Sequence, residues 1–272
     1  MEDRIQVTIE NGVADVRLVR VDKMNALDDA MFQALVDTGE RLKTEKGVRV
    51  IVLSGEGRAF CAGLDMGNFG KMASGERSGG QSSTGEALVT AKRTAGGSNR
   101  AQHAVMVWRE QTVPVIAAIH GVAFGGGFQL ALGADIRFVT ADTRMAVMEI
   151  KWGLVPDMAG LVLMKRLVRD DVARELTYTG RIFNGEEALK LGFATRVCDD
   201  PRAEALALAA EIAGKNPHAI RAAKRLLDLA PDADQQTILM EESREQTALI
   251  GSPNQVEAVM SNMQKRAAAF VD

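Results

Sequence analysis

Residues 114–134 read PVIAAIHGVAFGGGFQLALGA. The stretch opens with an apolar run from Pro114 to Ile119, short enough and rich enough in branched side chains to be a strand buried on both faces. A turn follows at His120-Gly121, then the triplet Gly125-Gly126-Gly127, and then Gly127 to Leu132 with the character of a short helix. Val113 to Ala134 as a whole is apolar, but Pro114, His120, Gly121, the three glycines and Gln129 interrupt it. A membrane helix would lose packing and bury polar groups at each of those points, so the segment is read as strand, turn and helix.

Outward from this segment the same alternation repeats. Ile5 to Val19 alternates about Asn11-Gly12, with Ile5, Val7 and Ile9 before it and Val13, Val16 and Leu18 after, the pattern of a half-buried hairpin. Asn25 to Leu42 predicts a helix, capped by Asn25 or Asp28, with Met31, Leu35, Val36 and Leu42 on one face. Val48 to Ser54 and Ile136 to Thr140 predict further strands. Strand and helix in alternation specify an α/β architecture. Between them Asp65 to Ser98 turns to Gly, Ser and Lys and predicts a mobile insertion, with order returning near Ala101. After Pro201 four helical windows follow: Ala203 to Gly214, His218 to Leu229, Asp234 to Ile250 and Gln255 to Phe270. Asn216-Pro217, Ala230-Pro231 and Ser252-Pro253 break them apart. Their apolar faces need the core or another subunit as a partner.

Composition narrows the function classes. The chain has 272 residues, 46% of them hydrophobic, enough for a substantial core, and 33 basic against 36 acidic side chains leave a formal charge of −3. That balance argues against a polybasic nucleic-acid or membrane surface. Cys61 and Cys198 lie far apart with no Cys-x-x-Cys pair, and His103, His120 and His218 show no ligand spacing, so neither a disulfide framework nor a metal site is expected. The first ten residues lack the apolar core of a signal peptide, and a reducing cytoplasm is the expected setting.

Two glycine-rich turns are the candidates for chemistry: Arg58 to Asp65, read RAFCAGLD, and Gly121 to Gln129, read GVAFGGGFQ. Consecutive glycines opening a helix allow a ligand to approach the backbone and leave N–H groups without intrahelical partners, an incipient anion site. No Lys-Ser or Lys-Thr follows, so this is not a P-loop, and the spacing differs from the dinucleotide fingerprint. Glu149, among Met145, Val147, Met148 and Ile150, should have a raised pKa suited to a base near neutrality. Gln129, one helical turn from Gly126, can hold a water or a substrate by hydrogen bonds but cannot titrate. Asp157, after Pro156, has two open readings, a carboxylate that takes part in the chemistry or a simple cap for a helix beginning near Met158. Cys61 reads as small buried filler rather than a nucleophile.

Taken in order, Lys23-Met24-Asn25-Ala26-Leu27, Phe60-Cys61-Ala62-Gly63-Leu64-Asp65, Ile116 to Gly127, Ala134-Asp135-Ile136-Arg137 and Lys265-Arg266 resemble the crotonase, or enoyl-CoA hydratase and isomerase, superfamily. The resemblance implies an α/β fold of repeated ββα units, with residues 1–200 as the acyl-CoA-binding and catalytic core and 201–272 as a C-terminal helical trimerisation region. It implies that the backbone N–H groups of Leu64 and Gly126 hold a thioester oxygen in an oxyanion hole. It also draws Lys23, Ala62, Gly63, Asp65, Gly125 and Lys265 into substrate or CoA binding, Lys265 reaching a neighbouring subunit's site. Hydratases of the family carry two glutamates, at the places of Gln129 and Glu149. The dienoyl-CoA isomerase branch carries an acid at the place of Asp157, and another at the place of Gln129 that is missing here. The implied activity on fatty enoyl-CoA thioesters therefore favours double-bond isomerisation modestly, with 2-enoyl-CoA hydration or acyl-CoA binding without turnover as the alternatives. No cofactor is expected beyond the coenzyme A of the substrate, and the expected assembly is a homotrimer or a dimer of trimers.

Overall fold

The computed structural model describes residues 4–68 and 89–272. Much of the expected mobile insertion, residues 69–88, therefore lies outside the described residues. The chain opens with β1 (Ile5–Glu10) and β2 (Val13–Leu18), an antiparallel hairpin in which Asn11 and Gly12 both take positive φ, 51° and 84°, the two-residue turn that matches strand twist. Helix α1 (Asp29–Thr44) then leads to β3 (Val50–Gly55), and α2 (Arg100–Arg109) to β4 (Val115–Ile119). Helix α2 opens on a reciprocal cap between Asn99 and Gln102.

From β4 the chain turns into β5 (Val122–Phe124) and α3 (Gly126–Leu132), then β6 (Ile136–Val139) and β7 (Arg144–Ala146). Among the described residues the main sheet runs β1-β2-β3-β4-β6-β8, where β8 is Arg196–Val197, and a small second sheet pairs β5 with β7. Every pair except β1–β2 is parallel. Strands β4 and β6 thus each continue into a strand of the second sheet, which is the repeated unit expected.

Burial on both faces explains why β3 from Val50 to Leu53 and all of β4 are apolar. Ile51, Leu53, Val115, Ala117 and Ile119 join one core cluster with Met31, Leu35 and Trp108, whereas Val50, Val52, Ile116 and Ala118 join another on the opposite face. That opposite face is covered by α7 (Pro201–Ala213), whose Ala205, Ala209 and Ala213 recur at helical spacing and let it lie close to the strands. The first of the four tail helices therefore belongs to the cover of the sheet.

The segment between β7 and α7 carries a 3₁₀ turn (Glu149–Trp152) and three helices, α4 (Gly160–Met164), α5 (Asp170–Thr179) and α6 (Gly185–Leu191). Beyond α7 come α8 (Pro217–Leu229), α9 (Gln235–Leu249) and α10 (Pro253–Met263). The last helix stops short of the expected Phe270. Lys265 turns left-handed (φ 52°), and the tail doubles back, with Asn254 bonding Val271 and Arg49 bonding the Phe270 carbonyl. Helix α1 likewise starts later than expected. Asp28 is its cap, accepting from Met31 N–H at 2.8 Å, while Asn25 is buried with φ 55° and donates to the Glu56 and Ala59 carbonyls. A buried amide bonding across the fold holds Asn25 out of the helix. Among the described residues no helix is long and apolar enough to cross a membrane.

Candidate active site

The two glycine-rich turns meet. Cys61 N–H donates to the Val122 carbonyl at 3.1 Å and Phe124 N–H to the Cys61 carbonyl at 3.2 Å, so the first turn adds a bridge to the small sheet beside β5. Leu27 brackets Leu64 from the other side, its N–H bonding the Gly63 carbonyl at 2.8 Å and its carbonyl accepting from Asp65 N–H at 3.0 Å. Approach between the turns is close enough to demand glycine. A Cβ on Gly63, where φ is +88°, would fall 2.5 Å from the Phe124 carbonyl oxygen and 3.7 Å from Gly126 N; one on Gly127 would fall 2.2 Å from the Cys61 carbonyl oxygen. Among the described residues no hydrogen bond engages the N–H of Leu64 or of Gly126, the latter opening α3.

Glu149 stands next to these turns. A Cβ on Gly125 would be 3.3 Å from its Oε1, which accepts from Gln129 Nε2 at 2.7 Å. Its Oε2 is buried with no hydrogen-bond partner among the described residues. Burial pushes the Glu149 carboxyl above the ordinary carboxylate range, and the charge of Asp157 adds to the rise while the Gln129 bond partly offsets it. Gln129 itself is 1% exposed, and its Oε1 accepts from both Met158 N–H (2.9 Å) and Gly160 N–H (2.8 Å). The Gln129 oxygen is thus fully engaged within the protein, and the second N–H of the amide is what remains for a water or a substrate.

Asp157 does not cap a helix. The residue before α4 is Ala159, left-handed at φ 68°, and no side chain caps that helix. The Asp157 side chain is reached by solvent, but the protein around its carboxyl desolvates it enough to raise its pKa as well. Two carboxyl groups with raised pKa values thus lie within electrostatic reach of each other, Glu149 being the one next to the two glycine turns and their free backbone donors. Such a set can move a proton and stabilise negative charge on a nearby oxygen.

The sequence model of the enoyl-CoA hydratase/isomerase family matches residues 8–272 of the chain. The chain belongs to that family. A mouse mitochondrial Delta(3,5)-Delta(2,4)-dienoyl-CoA isomerase is 30% identical over 269 residues, 97% of this chain and 80% of the relative. Mouse mitochondrial methylglutaconyl-CoA hydratase is 28% identical over 94% of this chain and 78% of its own length. Among solved structures, an enoyl-CoA hydratase from Bacillus anthracis superposes with a TM-score of 0.85 at 26% identity, covering 98% of this chain and 99% of that one. The chain is accordingly an enzyme of the crotonase superfamily, similar to both its hydratases and its dienoyl-CoA isomerases.

The remaining residues named from the family resemblance fall in different places. Ala62 N–H is bonded to the Met24 carbonyl at 2.9 Å, tying the first turn to the Lys23-to-Leu27 segment. Asp65 uses both oxygens inside the protein, one on Arg20 (2.6 Å) and one on Gly67 N–H (2.8 Å). Burial opposes its charge, yet those bonds, with the Arg20 and Lys23 charges, hold its carboxyl below the ordinary range. Asp65 therefore shapes the end of the turn through Arg20, a residue whose role had no local signal in the sequence. Lys23 is exposed beside it, and Lys265 is exposed on the C-terminal tail, outside the group of residues that the two turns gather. Cys61 is fully buried, its thiol pushed up to about 12 by desolvation and donating to the Asn25 carbonyl at 3.1 Å, which leaves it no nucleophilic character.

Proposed function

We propose that this enzyme isomerises the double bond of a fatty enoyl-CoA thioester through an enolate. In this reading the Leu64 and Gly126 N–H groups hold the thioester oxygen. Glu149 Oε2 takes a proton from C2, the C–H electron pair moves into the enolate, and the same oxygen returns the proton to C4 as the double bond shifts to C2–C3. Charge that builds on the thioester oxygen is met by fixed donors, each worth roughly 3 to 4 kcal/mol of barrier. Asp157, whose charge acts on Glu149, serves as a second proton-holding group for longer, conjugated substrates.

The observation that carries this reading is the neutral amide of Gln129, bonded on both ends, beside a single free carboxylate oxygen on Glu149. One base that takes and returns a proton suits migration of a double bond, whereas adding water calls for a second group to hold and activate it. Hydration of a 2-enoyl-CoA is the competing reaction. The deciding experiment is a panel of 2-enoyl, 3-enoyl, 2,4-dienoyl and 3,5-dienoyl-CoA substrates, with 2-enoyl, 3-enoyl and 3-hydroxyacyl products separated. Predominant 3-hydroxyacyl product would replace isomerisation with hydration, and no turnover would leave an acyl-CoA binder.

Assembly, setting and cofactor belong to the same proposal. Leu239 and Met240 on α9, and Val256, Val259, Met260 and Met263 on α10, are exposed apolar side chains of the single chain. They suit burial between copies in a trimer or a dimer of trimers, which sedimentation at micromolar concentration tests. The enzyme is read as cytoplasmic, needing no cofactor beyond the coenzyme A of its substrate, with Lys23 and Lys265 near the CoA phosphates.

A further inference from the structure

We infer that a second small-molecule site lies at the carboxyl ends of β3, β4 and β6, under the start of α7, and that it takes a linear organic polyammonium. Every second residue of these strands faces α7. Val50 and Val52 of β3, Ile116 and Ala118 of β4, and Ile136 and Phe138 of β6 join or pack against the core that Ala205, Ala209 and Ala213 cover. One step further along the same register come Ser54, His120 and Thr140. Three neighbouring strands thus exchange apolar for polar residues at one edge of the sheet, where α7 begins. A cleft of about 500 Å³ opens there, lined by these three residues and, from the loops after β6 and β8, by Asp142, Asp199 and Asp200. Its size is that of a small-molecule site, and the carboxyl ends of parallel strands are where open α/β sheets bind ligands. The three residues of β5, about 10 Å of strand, separate it from Gly125 and Glu149.

Ser54 is the residue that points to a ligand. It is 1% exposed, lines the cleft, and its Oγ has no hydrogen-bond partner among the described residues. A buried hydroxyl left so costs stability unless something that enters the cleft engages it. The other unspent groups are acceptors. His120 Nε2 meets the Gly57 carbonyl at 2.9 Å; a carbonyl only accepts, so Nε2 carries the proton and Nδ1 of the neutral ring is an acceptor. One oxygen of Asp142 accepts from Thr140 Oγ1 at 2.7 Å and one of Asp200 from Ala203 N–H at 3.0 Å, which leaves each a second oxygen without a hydrogen bond among the described residues. Asp199 is exposed, and among the described residues no hydrogen bond or ion pair engages it.

The charge that remains is therefore negative. Arg202 on the rim is already bonded to Asp15. The start of α7 offers an anion little, since Pro201 lacks an N–H and the Asp200 cap takes that of Ala203. Neighbouring Cys198 responds to the same field: burial pushes its thiol up, and the charges of Glu204, Asp200 and Asp199 add to the rise against that of Arg196. A metal ion would need these ligands to converge, and among the described residues no three His, Cys, Asp or Glu do so. Ammonium groups spaced along a chain can instead reach separate carboxylates and the Ser54 hydroxyl, each by a charge-assisted hydrogen bond.

The test is calorimetric titration of the full chain with spermidine, magnesium, inorganic phosphate and glycerol, at low and at physiological ionic strength. Spermidine should bind at one site per chain with a dissociation constant below about 1 mM at low salt, and the other three at least about 10-fold more weakly. Ser54→Ala should weaken spermidine about 5-fold or more, and Asp142→Asn combined with Asp199→Asn about 10-fold or more. Both aspartates are exposed, so that pair serves if Ser54→Ala fails to fold. Glu241→Gln with Glu242→Gln removes the same charge from α9 and should change affinity by less than about 2-fold. Glu149→Gln should bind spermidine as the wild type does. No saturation below about 10 mM, equal losses from the α9 pair, an unaffected Ser54→Ala, or tighter binding of magnesium or phosphate overturns the inference.

Discussion

Replacing Gly63 with alanine tests whether the contact between the two glycine turns carries catalysis. Alanine at φ +88° takes on the left-handed penalty, about 1–2 kcal/mol for a residue with a Cβ. The new Cβ would also fall 2.5 Å from the Phe124 carbonyl oxygen, a backbone atom that cannot swing aside as a side chain would. Relief requires the turns to part, straining the Cys61–Val122 and Phe124–Cys61 bonds, each worth about 0.5–1.5 kcal/mol net. The sum, roughly 2–5 kcal/mol, leaves a domain of ordinary stability, about 5–15 kcal/mol, folded. Catalysis should suffer more, because the peptide that follows Gly63 carries the Leu64 N–H. Losing one such donor costs about 100- to 1,000-fold in kcat. Gly47→Ala is the matched control: φ there is +79° and a Cβ would meet nothing within 4 Å, so it carries the backbone strain alone. The assay is kcat and KM on the best substrate of the panel, with thermal melts of both variants. If folded Gly63→Ala turns over within about 2-fold of Gly47→Ala, against the loss expected for a displaced donor, the proposed role of Leu64 N–H is refuted.

Glu149→Gln should abolish turnover while acyl-CoA affinity, measured calorimetrically, stays within about 10-fold, since the backbone and not this side chain holds the thioester. The same variant should melt no lower than the wild type at neutral pH, because it removes a desolvated charge. Wild-type activity should fall on acidification at a pH above the ordinary glutamate range, since Glu149 works ionised and burial raises its pKa. By linkage, Glu149 and Asp157 bind protons more tightly folded than unfolded, so their contribution to stability should decline as pH rises through their raised values; denaturant melts of Asp157→Asn should show a flatter pH dependence. Lys224→Met should cost about 2 kcal/mol in chemical denaturation with kcat unchanged, because Lys224, 6% exposed, bonds Asp135 at 2.7 and 2.8 Å and fastens α8 to the edge of the core, while Arg109 stays to share the load.

What could be read from the sequence followed the range of each signal. Strands β3 and β4 announce themselves because both faces of the sheet are covered there and neighbouring residues alternate between two cores. The segment from β7 to α6 has no comparable signature. Strand β7 has three residues, and α4 has five and begins after a left-handed alanine, too few in either for a period to repeat. At Asn25 two local readings competed, and the outcome was decided by carbonyls at Glu56 and Ala59, which local pattern cannot reach. Asp157 followed the same rule: a plausible local cap yielded to a turn held from Gln129.

The glycine triplet shows where that boundary lies. Its composition indicates that three side chains must be absent, but each absence has its own cause in a different part of the chain. Gly125 makes room for Glu149; Gly126 lies under Met158 and Leu27, whose atoms would be 2.8 and 2.9 Å from an added Cβ; and Gly127 abuts the Cys61 carbonyl. One short motif therefore brings together the base, the turn beside Asp157, the segment before α1's cap and the first glycine turn. A substitution at each position should disturb a different one of these partners. At Gly126 the obstructing atoms are ends of flexible side chains, so alanine there should be tolerated in folding far better than at Gly127, where backbone stands in the way. The ordering of the two variants in thermal melts is thus a property of tertiary contacts that identical letters in the sequence conceal.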